Sequence, residues 1–301
     1  LIVQSIIHAI FEPGLFSNSI VRLAAEVGAT VAVVAAAVGV FTVIRGQSFA
    51  GEALGDIGTA GGSSAYLVGV GSLWGLLVSS VAGAMAMELV GVQRVRGRDL
   101  ATGVVLGAGF GLAALFLYLG TTYENSDGAT ITVLFGSIFE LSPSVLPLVL
   151  GLGALTIAAI IALYRPLLLA SISPDLAVAR GIAVRLVGAG YLVTLAVAVA
   201  LCAVTIGTIL STALLIGPAA TALRLSRRPP QAIAVAAAVG VGCTWLGLLL
   251  SYDSYYWPPH HHGWPASFFI VTLVLICYLV SGPLAGHRSR PRALSEPRLE
   301  R

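Results

Sequence analysis

The chain of 301 residues contains no lysine; all 16 of its basic residues are arginine. That absence excludes a Walker A loop, whose lysine must reach the β- and γ-phosphates, and it excludes Schiff-base chemistry on a lysine amine. Charge of either sign is scarce at 10%, whereas apolar residues make up 57%. Uncharged runs of about 20 residues recur, the length that crosses a bilayer core as a helix. Cysteine is rare as well. Cys202, Cys243 and Cys277 stand singly in apolar stretches without Cys-x-x-Cys spacing, which indicates neither a disulfide framework nor a structural zinc site. They read as small packing residues. No basic region precedes the first apolar residues, so no cleavable leader is expected there.

The expected fold is therefore all-α, a polytopic helical membrane protein with roughly nine transmembrane helices. Residues 1–19, broken by Glu12-Pro13-Gly14, read as an interfacial segment; 20–286 form the membrane domain, and 287–301 an Arg- and Pro-rich tail. Spans are expected near 23–44, through the Glu52 segment to about 70, then near 72–92, 100–119, 145–164, 186–204, from a short break at 205–208 back to 224, 232–250 and 268–284, with a re-entrant turn at 134–140. Arginines at 45, 94–98, 165–185, 224–228 and 288–301 alternate with Arg-free loops at 69–72, 120–143 and 252–266. By the positive-inside rule this puts the C-terminus in the cytoplasm and the N-terminus outside. Only Arg22 dissents.

Two acids interrupt the second span. Glu52 and Asp56 are four residues apart, so a helix places them one turn apart on the same face. Each carboxylate costs about 2.5–3.5 kcal/mol at a bilayer centre. With no Lys or Arg in the turns just beyond, the pair repels itself and calls for a visiting cation. The alternative is that Glu52 sits shallow and snorkels while Asp56 bonds a neighbouring helix. Glu88, six residues before Arg94, reads as half of an interfacial ion pair.

On the cytoplasmic side, 171–185 is too polar to cross. Ser173 is a candidate N-cap, Pro174 suits the first helical position, Asp175 suits the positive end of the dipole, and Gly181 is a stop. A short amphipathic helix there is either an interfacial connector or a docking helix for a cytoplasmic motor. On the outer side, His260, His261 and His262 follow Tyr255-Tyr256-Trp257-Pro258-Pro259. Consecutive histidines are exposed ligands for zinc or copper; otherwise the aromatics anchor the interface and the histidines are solvated.

Ser173-Pro174-Asp175-Leu176-Ala177 followed by Gly181 resembles the coupling segment of the ABC importer permeases for zinc and manganese. The stretch from Gly207 to Ala222 is similar to that family's Leu-Leu-Ile-x-Pro-Ala-Ala-x-Ala span, and Arg45 to Leu54 to its Arg-x-x-Ser-aromatic-x-Gly-acid-x-Leu stretch. Residues 99–103 and Leu134-Phe135-Gly136-Ser137 correspond too, so the likeness covers roughly 20–285 in consistent order. The resemblance implies a permease that performs no covalent chemistry. It implies a homodimer, a separate ATPase docking on Ser173, Pro174, Asp175, Leu176, Ala177 and Gly181, and an outer metal-binding protein. No permanently bound cofactor is expected; Zn²⁺ or Mn²⁺ is the cargo. In the family, position 52 is an acid and position 56 a His, both looking toward the metal path. Here position 56 is Asp, a harder donor that shifts preference toward Mn²⁺. The family's Pro-x-Gly before the last span is Pro265-Ala266-Ser267 here, after a longer loop. An ion-coupled secondary metal transporter acting without an ATPase is the alternative. A siderophore or cobalamin permease would need a wider path and more spans.

Overall fold

A computed structural model describes residues 18–90, 98–124, 133–136, 138–255 and 263–288. Their secondary structure is helical, with no strand among the described residues. Nine long helices follow one another: α1 (Ser19–Ile44), α2 (Ser48–Leu67), α3 (Ser72–Val90), α4 (Arg98–Glu124), α5 (Val145–Ile172), then, after the six-residue α6 (Pro174–Ala179), α7 (Val184–Ile206), α8 (Thr208–Leu225), α9 (Pro229–Ser254) and α10 (Ala266–Arg288). Eight of the nine are long and apolar enough to span a bilayer. The ninth, α2, has the length but carries Glu52, Asp56 and a high share of Gly and Ser. Among the described residues, eight helices thus qualify as spans where about nine were expected, and α2 is the one that falls short.

Helix ends run past the expected limits where charge was read as a stop. α5 continues through Arg165 and Pro166 to Ile172. An arginine marks where a helix leaves the hydrocarbon, not where its hydrogen bonds end. α1 begins at Ser19, because the Asn18 side chain accepts the Ile20 N–H at 3.0 Å and caps the first turn.

The centre of the bundle is α1 and α7. Their span windows are 72% and 67% buried, against 17% for α4 and 22% for α5, which lie at the periphery. Val31, Val38 and Phe41 of α1 pack with Leu54 of α2, Leu192 and Leu195 of α7, and Leu215 of α8 in one continuous core. Between helices in lipid, packing rather than water exclusion drives association, so close approach matters. Gly39 is where the backbones of α1 and α8 come closest: a Cβ there would stand 1.9 Å from the Leu215 carbonyl oxygen.

The expected re-entrant turn takes a different form. Gly136 has φ +74° and Gly207, the single residue between α7 and α8, has φ +86°. The two lie against each other, and a Cβ on Gly207 would sit 2.2 Å from the Leu134 carbonyl oxygen. The Thr208 hydroxyl donates to the Val133 carbonyl at 3.3 Å. The segment around 133–136 thus plugs the break in the helix pair.

Candidate ion path and docking helix

α2 starts from a tight turn in which Gly46 has φ +61° and the Gln47 N–H donates to the Thr42 carbonyl at 2.9 Å. From there Glu52 and Asp56 are one turn apart on a single face, and both are half-buried. The glycines that share small-xxx-small spacing do not form one seam. A Cβ on Gly51 or Gly55 would face Leu215 and Ser211 of α8, whereas one on Gly58 or Gly62 would face Ser80 and Leu76 of α3. α4 passes the acids closely: a Cβ on Gly109 would lie 3.3 Å from Asp56 Cβ. Ser80 donates to the Leu54 carbonyl at 3.1 Å and ties α3 to the same turn of α2. Among the described residues no group of three or more His, Cys, Asp or Glu could hold a metal ion, so within one chain the pair stands as two oxygen-bearing side chains.

At the end of the bundle opposite Arg45, Arg165 and Arg224, a cavity of about 490 Å³ opens between the start of α1, the end of α9 and the start of α10. Glu140, Tyr252, Tyr255, Trp264 and Asn18 line it, and Gly136 and Thr205, beside the helix break, belong to its wall. Tyr255 and Gly263 flank the segment that holds His260, His261 and His262, which themselves lie outside the described residues. The interfacial segment 1–17 and the tail beyond residue 288 lie outside them too.

The expected short helix is present. Ser173 occupies the N-cap position in extended conformation, though its side chain makes no capping bond; Pro174 is in the first turn and Asp175 follows. Gly181 has φ +76°, and the Gly181 N–H donates to the Val178 carbonyl at 2.9 Å. Ala177 is buried against the body, while Leu176 and Val178 are 46% and 63% exposed and Asp175 points to solvent. The two apolar side chains stand beside an acid with nothing covering them among the described residues.

Glu88 forms an ion pair with Arg185 of α7 at 3.1 Å. The sequence expectation looked along the helix to Arg94, which lies outside the described residues. Cys202 is free and buried; Cys243 and Cys277 are also free thiols, and their sulfurs approach to 3.8 Å across α9 and α10.

One cluster had no signal in the sequence. The Arg45 guanidinium donates through Nε to Gln47 Oε1 at 3.2 Å and through Nη1 to Ser171 Oγ at 3.2 Å, and stands 5.2 Å from the Tyr191 ring centroid. Tyr191, fully buried, shares a 2.7 Å hydrogen bond with Thr42. The end of α1, the start of α2, the foot of α5 and the first third of α7 meet there. Ser171 is two residues from Ser173, but 126 residues separate it from Arg45, and no spacing rule spans that distance.

A family model described as the ABC 3 transport family matches residues 17–282. The manganese transport system membrane protein MntC of Halalkalibacterium halodurans is 30% identical over 241 residues, 80% of this chain and 82% of that protein. The manganese import system permease protein ScaB of Streptococcus parasanguinis is 26% identical over 81% of this chain and 85% of its own length. Among solved structures, PsaBC from Streptococcus pneumoniae in complex with Fab superposes with a TM-score of 0.76 at 25% identity, covering 93% of this chain and 95% of that one.

Proposed function

The chain belongs to the ABC 3 transport family, and on that premise we propose that it is the membrane-spanning permease of an importer for divalent metal ions, Mn²⁺ or Zn²⁺. The observation that carries this reading is the pair Glu52 and Asp56 on one face of a helix inside a membrane domain, with the packing around it tight enough that α4 touches Asp56. Two carboxylates repel, and a divalent ion removes the repulsion and supplies the missing charge. Their oxygens are hard donors, which suits Mn²⁺ better than an imidazole at position 56 would. The names of the relatives, which refer to manganese, support the same cargo.

Two carboxylates are few ligands. A second copy of the chain facing the first across a shared path would double them, while keeping occupancy weak enough for release. ATP hydrolysis falls to a separate cytoplasmic ATPase, since this chain has no lysine with which to build a Walker A loop. That subunit docks on α6, with Leu176 as the apolar anchor and Ser173, Pro174, Asp175, Ala177 and Gly181 shaping the helix around it. An extracytoplasmic metal-binding protein delivers the ion from the outer side, and His260, His261 and His262 are its first ligands. The chain lies in the bacterial cell membrane.

The deciding experiment reconstitutes the permease with its ATPase in vesicles and measures uptake of Mn²⁺, Zn²⁺, Fe²⁺ and Cu²⁺ with and without ATP. ATP-dependent uptake of Mn²⁺ or Zn²⁺ is expected. Uptake that needs no ATP and follows an ion gradient would instead identify a secondary transporter.

A further inference from the structure

The polar line that begins at Glu52 and Asp56 continues along α2. Thr59 and Ser63 follow at steps of three and four residues, so at about 3.6 residues per turn all four fall on one side of the helix. The two hydroxyls differ in how their protons are used. Thr59 donates to the Gly55 carbonyl at 2.9 Å, as Thr42, Thr156 and Thr194 donate to carbonyls four residues back in their own helices. Its proton is committed, and lone pairs are what it has left to offer. Ser63 does not follow this habit. It is 4% exposed, and its Oγ is the one fully buried side-chain oxygen among the described residues without a hydrogen-bond partner.

A buried hydroxyl in a helix has carbonyls in easy reach; the adjacent Ser64 donates to the Gly61 carbonyl at 2.9 Å. A hydroxyl that leaves this option unused, on a face that already carries two acids and a lone-pair donor, has its oxygen available to a cation. Its unpaired state costs stability that a passing ion or the ion's water would restore. Ser63 is seven residues from Asp56, about 10 Å along the axis. Metal–oxygen bonds are about 2.0–2.6 Å, so the two side chains cannot hold one ion together.

We propose that Ser63 is a separate ligand station for a partly hydrated divalent cation, two turns outward of the Glu52–Asp56 pair, with Thr59 as the step between them. The assignment rests on the reading of Glu52 and Asp56 as the ion path. It makes the path a file of oxygens that ends in charge: the neutral Ser63 hydroxyl meets the ion first, the Thr59 hydroxyl follows, and the carboxylates receive it last. Neutral donors at the outer end bind weakly and so do not trap the ion before it reaches the acids.

The test uses the complete importer in vesicles. Ser63→Ala is expected to raise KM for Mn²⁺ uptake roughly tenfold while leaving the melting midpoint unchanged or higher, because the substitution removes an unpaired buried hydroxyl. Ser63→Cys places a soft donor on the path, so its uptake should be blocked by Cd²⁺ at concentrations that leave the native protein active. A native KM in Ser63→Ala together with no added Cd²⁺ sensitivity in Ser63→Cys would overturn the assignment. A lowered melting midpoint with an unchanged KM would also overturn it, by marking the hydroxyl as structural. Glu52→Gln run in parallel separates the two levels. If it transports normally, the path reading itself fails; if it is inactive while both Ser63 variants behave as native, only the Ser63 station fails.

Discussion

Alanine at Gly207 should be among the most damaging single methyl additions in the protein. Gly207 has φ +86° and ψ 161°, a region that essentially only glycine occupies, and a side chain held there costs about 1–3 kcal/mol. Space makes matters worse. The added Cβ would meet the Leu134 oxygen at 2.2 Å, the Phe135 carbonyl carbon at 2.4 Å and the Gly136 nitrogen at 2.5 Å. All three are backbone atoms, so no rotamer change relieves the clash. To regain a normal separation of about 3.5 Å, the 133–136 segment must back away by more than 1 Å or so. That displacement breaks the Thr208–Val133 hydrogen bond, worth about 1 kcal/mol. A total near 2–4 kcal/mol follows, which in a domain of this size lowers a thermal midpoint by roughly 4–16 °C. Melting of the purified protein in detergent reads this directly. Gly151 and Gly242 are the controls: both lie inside helices with nothing within 4 Å of an added Cβ, and alanine there should be neutral or stabilising by about 0.5–1 kcal/mol. If Gly207→Ala melts with the native protein, or no lower than those controls, the plug between α7 and α8 is not as described.

Glu52→Gln and Asp56→Asn are each expected to abolish metal uptake while co-purification with the ATPase survives, and Asp56→His to shift preference from Mn²⁺ toward Zn²⁺ in a competition assay; normal transport by both neutral variants would make the pair structural. Joint replacement of Asp175 and Leu176 by Ala should uncouple uptake from ATP hydrolysis without lowering the melting midpoint, since both side chains are exposed; retained stimulation of the ATPase would leave α6 a connector. A cysteine at position 175 should react with an impermeant thiol reagent only from the cytoplasmic side, and labelling from outside in intact cells would reverse the topology. Arg185→Ala should cost at most about 1 kcal/mol, because the Arg185 side chain is 78% exposed in its pair with Glu88; a larger loss in a melting assay would assign the pair a buried role.

The long helices were legible because a bilayer imposes a narrow range of length and polarity on its spans, and arginine marks most of the exits on the cytoplasmic side. Asp175 and Gly181 were legible because capping preferences are local. What could not be read depends on contacts between distant residues. The glycines of α2 share one spacing but serve two neighbours, α8 and α3, and only the packing sorts them. Glu88 was read as half of an ion pair; its partner Arg185 comes from another helix, 97 residues along the chain, and no local spacing points to it. Gly136 and Gly207 each look like ordinary loop glycines; that each has a positive φ because the other is there is a property of the pair. Ser63 carried no signal at all, since a serine's missing hydrogen bond exists only once its surroundings do.

Arg45 has a mechanical consequence. One guanidinium holds both Gln47, at the head of the acid-bearing helix, and Ser171, at the root of α6. At 3.2 Å each bond is already near the long end of its range, and it is lost a few tenths of an ångström further out. Small strokes entering through α6 would therefore be carried across to α2, because the side chain follows Ser171 and pulls on Gln47. Long strokes would part the Ser171 bond and leave α2 at rest. On the proposed reading of α6 as the docking helix, the linkage would act as a fuse as much as a rod, limiting how much motion α6 could impose on α2.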